Sequence, residues 1–561
     1  MKEKRGQLIF LASLLFFSLS TFSPRLPWTL RLVQVPKQQP WLEYFLQQES
    51  IECLQELEQS YLLRLGRDEI IKLRNKGFVF RTIAFYRYDR FYALVRAIGP
   101  EDLDFLQRSF QPVFLEGDDY LLILREVSEL EEIPVSVKRR LLPQRGRTLA
   151  AHACLPQEYT WLFFKEDAYE QLVSEVSAES LRNKVTDLQN FNTRYALTDN
   201  CLQAAQYLYN YFLSLGLPVN FHDFTYSGYL CRNVISEIRG QTYPEQVVII
   251  CAHYDSTSNQ RWTLAPGADD NGSGTAAVME AARLLISRPL DFTVRFILFS
   301  AEEQGLVGSL RYVQEKLNPA ENIIAVINLD MIAYADLLPE DLDIIGDRSS
   351  GWLVEKISAL TSVYGPLPPK KIIDPSFVYS DHASFWDRGI PAVCLIEDAS
   401  VPNPYYHKTT DTVDTLDFEF YRQAVRSSLS GLAVLAQLIK PGWPGTPAEF
   451  NFRTGTYASI FNHLKAVELF WREVPGAAGY NVYRSSSAYL GFEKINQSPV
   501  AATRFIDVLL GSEAVFYYAV TAVDSLGRES NFSRVIPVNA GTRSSAALSG
   551  FLSGFFNLSR N

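Results

Sequence analysis

Four nearly unbroken runs of β-branched and apolar residues constrain this chain most: QVVIICA (246–252), TVRFILFSA (293–301), NIIAVINLD (322–330) and PAVCLIE (391–397). A strand that is apolar on both faces needs cover on both faces, as in the sheet of an α/β domain. Between the first two runs, GSGTAAVMEAARLLI (272–286) places small and apolar residues at helical spacing. The expected architecture over residues 165–440 is α/β, a mostly parallel mixed sheet flanked by helices. In such sheets ligands bind beyond the carboxyl ends of the strands.

The remainder of the 561 residues needs its own folding units, and a chain of this length holds about three or four. Lys2, Lys4 and Arg5 precede an uncharged apolar stretch, so residues 1–22 read as a signal peptide or N-terminal anchor, with export to the exterior or cell envelope expected. Residues 30–155 mix strand-like FYALVRAIG (91–99) and YLLILREV (120–127) with helix-like EDLDFLQRSF (101–110), which predicts an α+β accessory or propeptide-like module. Its basic end, Lys138 to Arg147, reads as a linker. After the Pro/Gly break PGWPGTP (441–447), alternating segments such as YNVYRS and VFYYAVTAVD predict an all-β sandwich over 447–541. With Trp471 on an early strand and YYAVTAVDSLGRES (517–530) late, this region resembles a fibronectin type III module. Such a module suits contact with a protein or polysaccharide surface. Residues 542–561 read as a disordered tail. The six cysteines form no CxxC pair, which excludes a zinc finger and a disulfide-built scaffold; Cys201 with Cys231 is the one nominated bridge. A net charge of -10 excludes a general nucleic-acid binder, and nothing in the sequence argues for oligomerisation.

Five segments at or after strand ends carry the chemistry: CAHYDS (251–256), PGADDNGSG (266–274), SAEEQG (300–305), NLDMI (328–332) and PYYHKTTDT (404–412). Zinc takes imidazole nitrogen and carboxylate oxygen, and a pair of zincs needs two ligand sets and a bridging carboxylate. His253 and Asp330 supply one set, Glu303 and His407 the other, and Asp269 the bridge. Taken singly, each motif has a plainer reading. A strand-end histidine is more often structural, GADDNGSG alone is a turn, and a Glu-Glu pair is usually solvated surface. Their joint occurrence in one sheet context is what carries the assignment. His382 in YSDHASF (379–385) competes with His407, while His152, His222 and His463 lack a matching acidic motif.

Over 165–440 the chain resembles the M28 family of zinc peptidases, the bacterial leucyl-type aminopeptidases, including NFNTRYALTDNCLQAAQYLYNYFLSLGLPV (190–219) as that family's first helix region. The resemblance implies a zinc-exopeptidase fold, two zinc ions, peptide substrates and the ligands His253, Asp269, Glu303, Asp330 and His407. It further implies Glu302 as general base and Asp255 as the carboxylate that orients the ligand histidine. It puts the SDHASF string in the substrate pocket, which leaves His382 outside the metal shell. Some members carry a tyrosine three residues before Ser-Asp-His; here that position is Phe377, with Tyr379 nearby. Two other functions compete: a glutaminyl cyclase-like enzyme with one zinc, and a non-catalytic exported binding protein.

Overall fold

The computed structural model describes residues 30–39, 42–87, 89–97, 99–143, 147–148, 166–318, 320–399, 403–458, 463–509 and 515–539. The expected signal segment, the tail and Cys154 lie outside them. The chain divides into two compact units, Met1–Ala151 and His152–Asn561.

The first unit is α+β and internally repetitive. Strand β1 (Arg31–Pro36), helix α1 (Leu42–Gln48), β2 (Glu52–Glu56), β3 (Ser60–Leu65), α2 (Arg67–Asn75) and β4 (Arg81–Phe85) are followed by a second series. That series runs β5 (Phe91–Arg96), α3 (Pro100–Ser109), β6 (Val113–Glu116), β7 (Asp119–Leu124) and β8 (Lys138–Leu141), with the short β9 (Arg147–Thr148) after it. The sheets are ordered β4-β1-β3-β2-β9 and β6-β7-β5-β8, so each half arranges its strands fourth, first, third, second. The expected linker at 138–147 is therefore corrected: it supplies β8 and the start of β9. Arg139 and Arg140 are buried there, Arg139 donating to the Leu130 and Ile133 carbonyls and Arg140 to Gln55.

The second unit opens with α4 (Asp167–Ser174), α5 (Ala178–Gln189) and α6 (Asp199–Ser214). Its eight-stranded sheet contains β10 (Val219–Tyr226), β11 (Tyr229–Ile238), β12 (Tyr243–His253), β13 (Phe292–Phe299), β14 (Asn322–Leu329), β15 (Leu342–Gly346), β16 (Pro369–Ile373) and β17 (Ala392–Ile396). The order is β10-β11-β13-β12-β14-β17-β15-β16. Strands β13, β12, β14 and β17 are mutually parallel, whereas β11 and β15 join them antiparallel. All four sequence runs lie in this central parallel block, and β13 is buried at every position. Helix α7 (Gly274–Leu285) packs on β12, and α8 (Val307–Glu315), α9 (Gly351–Tyr364), α10 (His382–Trp386) and α11 (Phe418–Leu435) complete the cover.

The nominated bridge is not formed: Cys201 and Cys231 are both buried and share no disulfide. The Cys201 sulfur turns to the Ser300 hydroxyl at 3.9 Å and the Cys231 thiol to the Ala196 carbonyl at 3.7 Å.

Beyond residue 447 the same unit carries an all-β sandwich. One sheet pairs β18 (Asn451–Ala458), β19 (His463–Phe470) and β22 (Arg504–Leu509); the other pairs β20 (Gly479–Ser485), β21 (Glu493–Lys494), β23 (Val515–Val523) and β24 (Ile536–Asn539). Trp471 is buried between them, its ring 5.3 Å from that of Tyr480. The sandwich is fixed to the α/β body through Asp291, a buried carboxylate that accepts from Thr242, Thr446 and Asn531. A stacked Trp352–Tyr489 pair, 4.4 Å between centroids, adds a second contact. No helix among the described residues is long and apolar enough to cross a membrane.

Candidate metal centre

Four chain segments leave the carboxyl end of the parallel block or cross it, and each delivers a donor. His253 is the last residue of β12, Asp330 follows β14, and Glu302 and Glu303 follow β13. His407 comes from the loop after β17, with φ of +54°, and Ala301 sits at φ +58°, so both take the left-handed conformation that side chains seldom adopt. The donors are buried, His407 only partly, and fall into two groups, His253–Glu302–Asp330 and Asp270–Glu303–His407, within each of which the candidate ligand atoms lie within 4.8 Å of one another.

One residue joins the groups, and it corrects the sequence reading. Asp270 puts Oδ1 3.3 Å from His253 Nε2 and Oδ2 3.2 Å from His407 Nε2. Asp269, the expected bridge, points elsewhere: it accepts from the Ala333 amide at 3.0 Å and from Asn403 Nδ2 at 2.7 Å. Asn403 also donates to Glu397 at 2.9 Å, so Asp269 belongs to a buried polar network behind the site. The cause is local backbone. Asp270 and Asn271 depart from helical dihedrals (φ −99°, ψ 91° and φ −129°, ψ 54°), so regular helical placement of the side chains does not hold through this turn.

The remaining geometry follows from the strand ends. His253 Nε2 lies 3.3 Å from Asp330 Oδ1 and 3.9 Å from Glu302 Oε2, and His407 Nε2 lies 3.0 Å from Glu303 Oε2. His253 Nδ1 sits 3.1 Å from the Asp255 carbonyl oxygen and 3.7 Å from its carboxylate. The Asp255 carboxylate instead accepts the Glu302 and Glu303 amides at 3.2 and 3.3 Å. It thus orients the glutamate pair directly, while its backbone orients the histidine. The Tyr406 ring stacks on His407 with centroids 3.7 Å apart.

Electrostatics match a cation-binding centre. Burial pushes Glu302 well above the ordinary glutamate range, reinforced by Asp330 and Glu303, and burial raises Glu303 too. Burial works against charge on His253 and His407, yet Glu302 and Asp330 hold the first well above its usual value, and Glu303 and Asp270 hold the second near 10. The same two histidines overcome burial at Asp270 and keep its carboxyl below the usual range. Two imidazoles and four carboxylates thus converge in a largely buried site. Imidazole nitrogen and carboxylate oxygen are the donors zinc prefers, so the set fits zinc by ligand type.

His382 stands apart from both groups, with Nε2 2.8 Å from the Phe377 carbonyl and its ring edge-on to Trp386. His222 pairs with Glu315 at 3.0 Å. Phe377 lies in a buried apolar cluster with Met331, Ile345, Cys394 and Ile396 beside the site. Sequence reasoning missed Asp270, Asn403, Glu397 and Asp411. The adjacent Asp-Asp of GADDNGSG was the signal for the first, and Asp411 lies within PYYHKTTDT; Asn403 and Glu397 carry no motif of their own.

An α/β sheet that ends in two such donor sets defines a zinc-dependent hydrolase. The description "Peptidase family M28" matches residues 233–430. Leucine aminopeptidase 1 of Paracoccidioides brasiliensis is 28% identical, aligned over 57% of this chain and 85% of its own. The uncharacterised protein YfbL of Escherichia coli is 30% identical, over 40% of this chain and 78% of its own. Among solved structures, BSAP, a zinc aminopeptidase from Bacillus subtilis, is similar at 18% identity and TM-score 0.42, covering 46% of this chain and 95% of that one. The chain belongs to peptidase family M28.

Proposed function

We propose that this protein is an aminopeptidase that removes N-terminal residues from peptides with two zinc ions and a glutamate base. The observation that carries this reading is Asp270, whose two oxygens face His253 and His407 from opposite sides at 3.3 and 3.2 Å. His253 and Asp330 would hold one zinc, Glu303 and His407 the other, with Asp270 shared. Zinc supplies Lewis acidity, which polarises the scissile carbonyl and acidifies water at neutral pH. Glu302 takes the proton from the attacking water and returns it to the departing amine. Its greater distance from His253 Nε2, 3.9 Å against 3.3 Å for Asp330 and Asp270, leaves its carboxylate free for that work. Asp255 holds the Glu302 and Glu303 amides and so keeps base and ligand on divergent headings. The names of the aminopeptidase relatives support the N-terminal direction.

The reading includes export by residues 1–22 and a fibronectin type III-like module; sheets of three and four strands over 451–539 support the latter. Residues 30–155 serve as an accessory or propeptide-like module in the same scheme. A screen of aminoacyl and dipeptidyl substrates, with zinc added and with zinc chelated, tests the activity. Release of amino acids only when zinc is present is expected. Cyclisation of N-terminal glutamine by a one-zinc protein, with no amino acid released, would replace it with the cyclase reading. Sequencing the mature N-terminus tests export.

A further inference from the structure

Arg194 lies in the loop between α5 and α6 and is wholly buried. A buried guanidinium ordinarily pairs with a carboxylate, because desolvating the charge costs several kcal/mol. Here its side-chain hydrogen bonds go to neutral carbonyls. Nε donates to Tyr254 at 2.7 Å, Nη1 to Leu188 at 3.1 Å and Pro266 at 2.6 Å, and Nη2 to Gly267 at 2.7 Å. Its main chain closes the arrangement through Ser256, whose amide donates to the Arg194 carbonyl at 3.2 Å while Ser256 Oγ accepts the Arg194 amide at 3.1 Å. One fork therefore ties the strand end carrying His253 to the loop carrying Asp270.

Asp411 grips the same loop from the other side. Its Oδ1 accepts the Asp269 amide at 2.9 Å and its Oδ2 the Asp270 amide at 3.1 Å, and it is four residues beyond His407. The stretch 266–270 is thus stretched between a cation on its carbonyls and an anion on its amides. The fit is tight at Gly267, with φ of +53°: an added Cβ would come within 2.5 Å of the Asp270 carbonyl oxygen and of Ser256 Cβ, and 3.1 Å of Arg194 Nη2.

We infer that Arg194 and Asp411 are a pair of positioning residues that set where Asp270 stands, Arg194 referring it to His253 and Asp411 to His407. The inference rests on the two-zinc reading. Neither residue touches the reacting atoms. Together they fix the span between two histidines, one at a strand end and one in a loop, that lie far apart in sequence.

The test uses the full chain with Arg194→Lys, Asp411→Asn and the double variant. Lysine keeps the charge but loses the fork that reaches four carbonyls. Asparagine keeps the shape but turns an NH2 towards an amide. With native circular dichroism, each single variant should bind zinc about 10–100-fold more weakly. Each should lose turnover by up to about 100-fold with KM within about twofold. The double variant should lose less than the product of the singles, since both act on one loop. A merely structural pair would lower the melting temperature and leave the zinc affinity of the folded protein unchanged. Folded variants that match wild type in zinc affinity and turnover within about threefold would overturn the inference. If Arg194→Lys does not fold, Asp411→Asn decides by the same limits. Failure of the wild-type chain to bind two zincs sinks the parent reading instead.

Discussion

Replacing Asp270 by asparagine, with Asp269→Asn as its neighbour control, separates two residues that the sequence presents as equivalent. Asp270 faces both histidines, whereas Asp269 accepts from Ala333 and Asn403 one layer behind. A substitution one layer behind a ligand costs about 10–100-fold in metal affinity. Asp269→Asn should fall inside that range. Asp270→Asn removes a donor from both groups at once, so at least the upper figure applies at each: about 10⁴-fold in all, or about 5.6 kcal/mol at 1.4 kcal/mol per decade. The assay is zinc content after equilibration against a calibrated chelator, read beside kcat/KM on an aminoacyl substrate. The reasoning is refuted if Asp270→Asn keeps two zincs within tenfold of the wild-type affinity while Asp269→Asn loses them.

Four further outcomes are expected. Glu302→Gln should cut turnover by about 10²–10⁴ while zinc content stays at the wild-type level, since the base is removed and the ligands are kept. Chelation should abolish activity and lower the melting temperature, because ions bound to the folded state add to its stability, and added zinc should restore both. Glu280 is fully buried against Lys184 at 3.0 Å and Arg283 at 2.7 Å. Burial opposes its charge, but Arg283 and Lys184 outweigh it and hold the carboxyl below the ordinary glutamate value. Its contribution is present above the unfolded pKa of about 4.3 and is lost as pH falls through the lower folded value. The urea midpoint of wild type should therefore drop faster with acid than that of Glu280→Gln, and Glu280→Ala should cost about 3–5 kcal/mol at neutral pH by stranding Lys184. Equal acid slopes in urea titrations would contradict this. Asp291→Ala removes the acceptor shared by Thr242, Thr446 and Asn531, and a second, earlier calorimetric transition for the sandwich should appear.

The α/β body was legible because strands covered on both faces write themselves as unbroken apolar runs, and all four runs became the parallel block. The donors were legible as residue types at strand ends. Which of Asp269 and Asp270 turns inward was not, since a non-helical kink at 270–271 decides it and leaves no mark in composition. The basic stretch at 138–147 misled for a related reason. Arg139 and Arg140 look solvated in sequence, yet carbonyl oxygens and Gln55 receive them in the interior. The doubled strand order of the first unit was hidden because its two halves share topology rather than residues. Arg194 was in view as part of a helix-approach segment, but its role exists only through carbonyls that arrive from three places.

The joint made by Asp291 has a directional consequence. Asp291 immediately precedes β13, and Glu302 follows its far end, so the sandwich joins the sheet at the pole opposite the metal centre. Trp352, which stacks on Tyr489, lies at the start of α9 after β15, a strand antiparallel to its neighbour β17, and so occupies the same pole. The seven steps of β13 alone separate the poles by about 23 Å at 3.3 Å per residue. A surface held by the sandwich would thus sit behind the enzyme, with the catalytic mouth turned outward to the surrounding medium. On this geometry the sandwich and the metal centre stand at opposite ends of one strand, and a ligand taken up by the one would not meet the other.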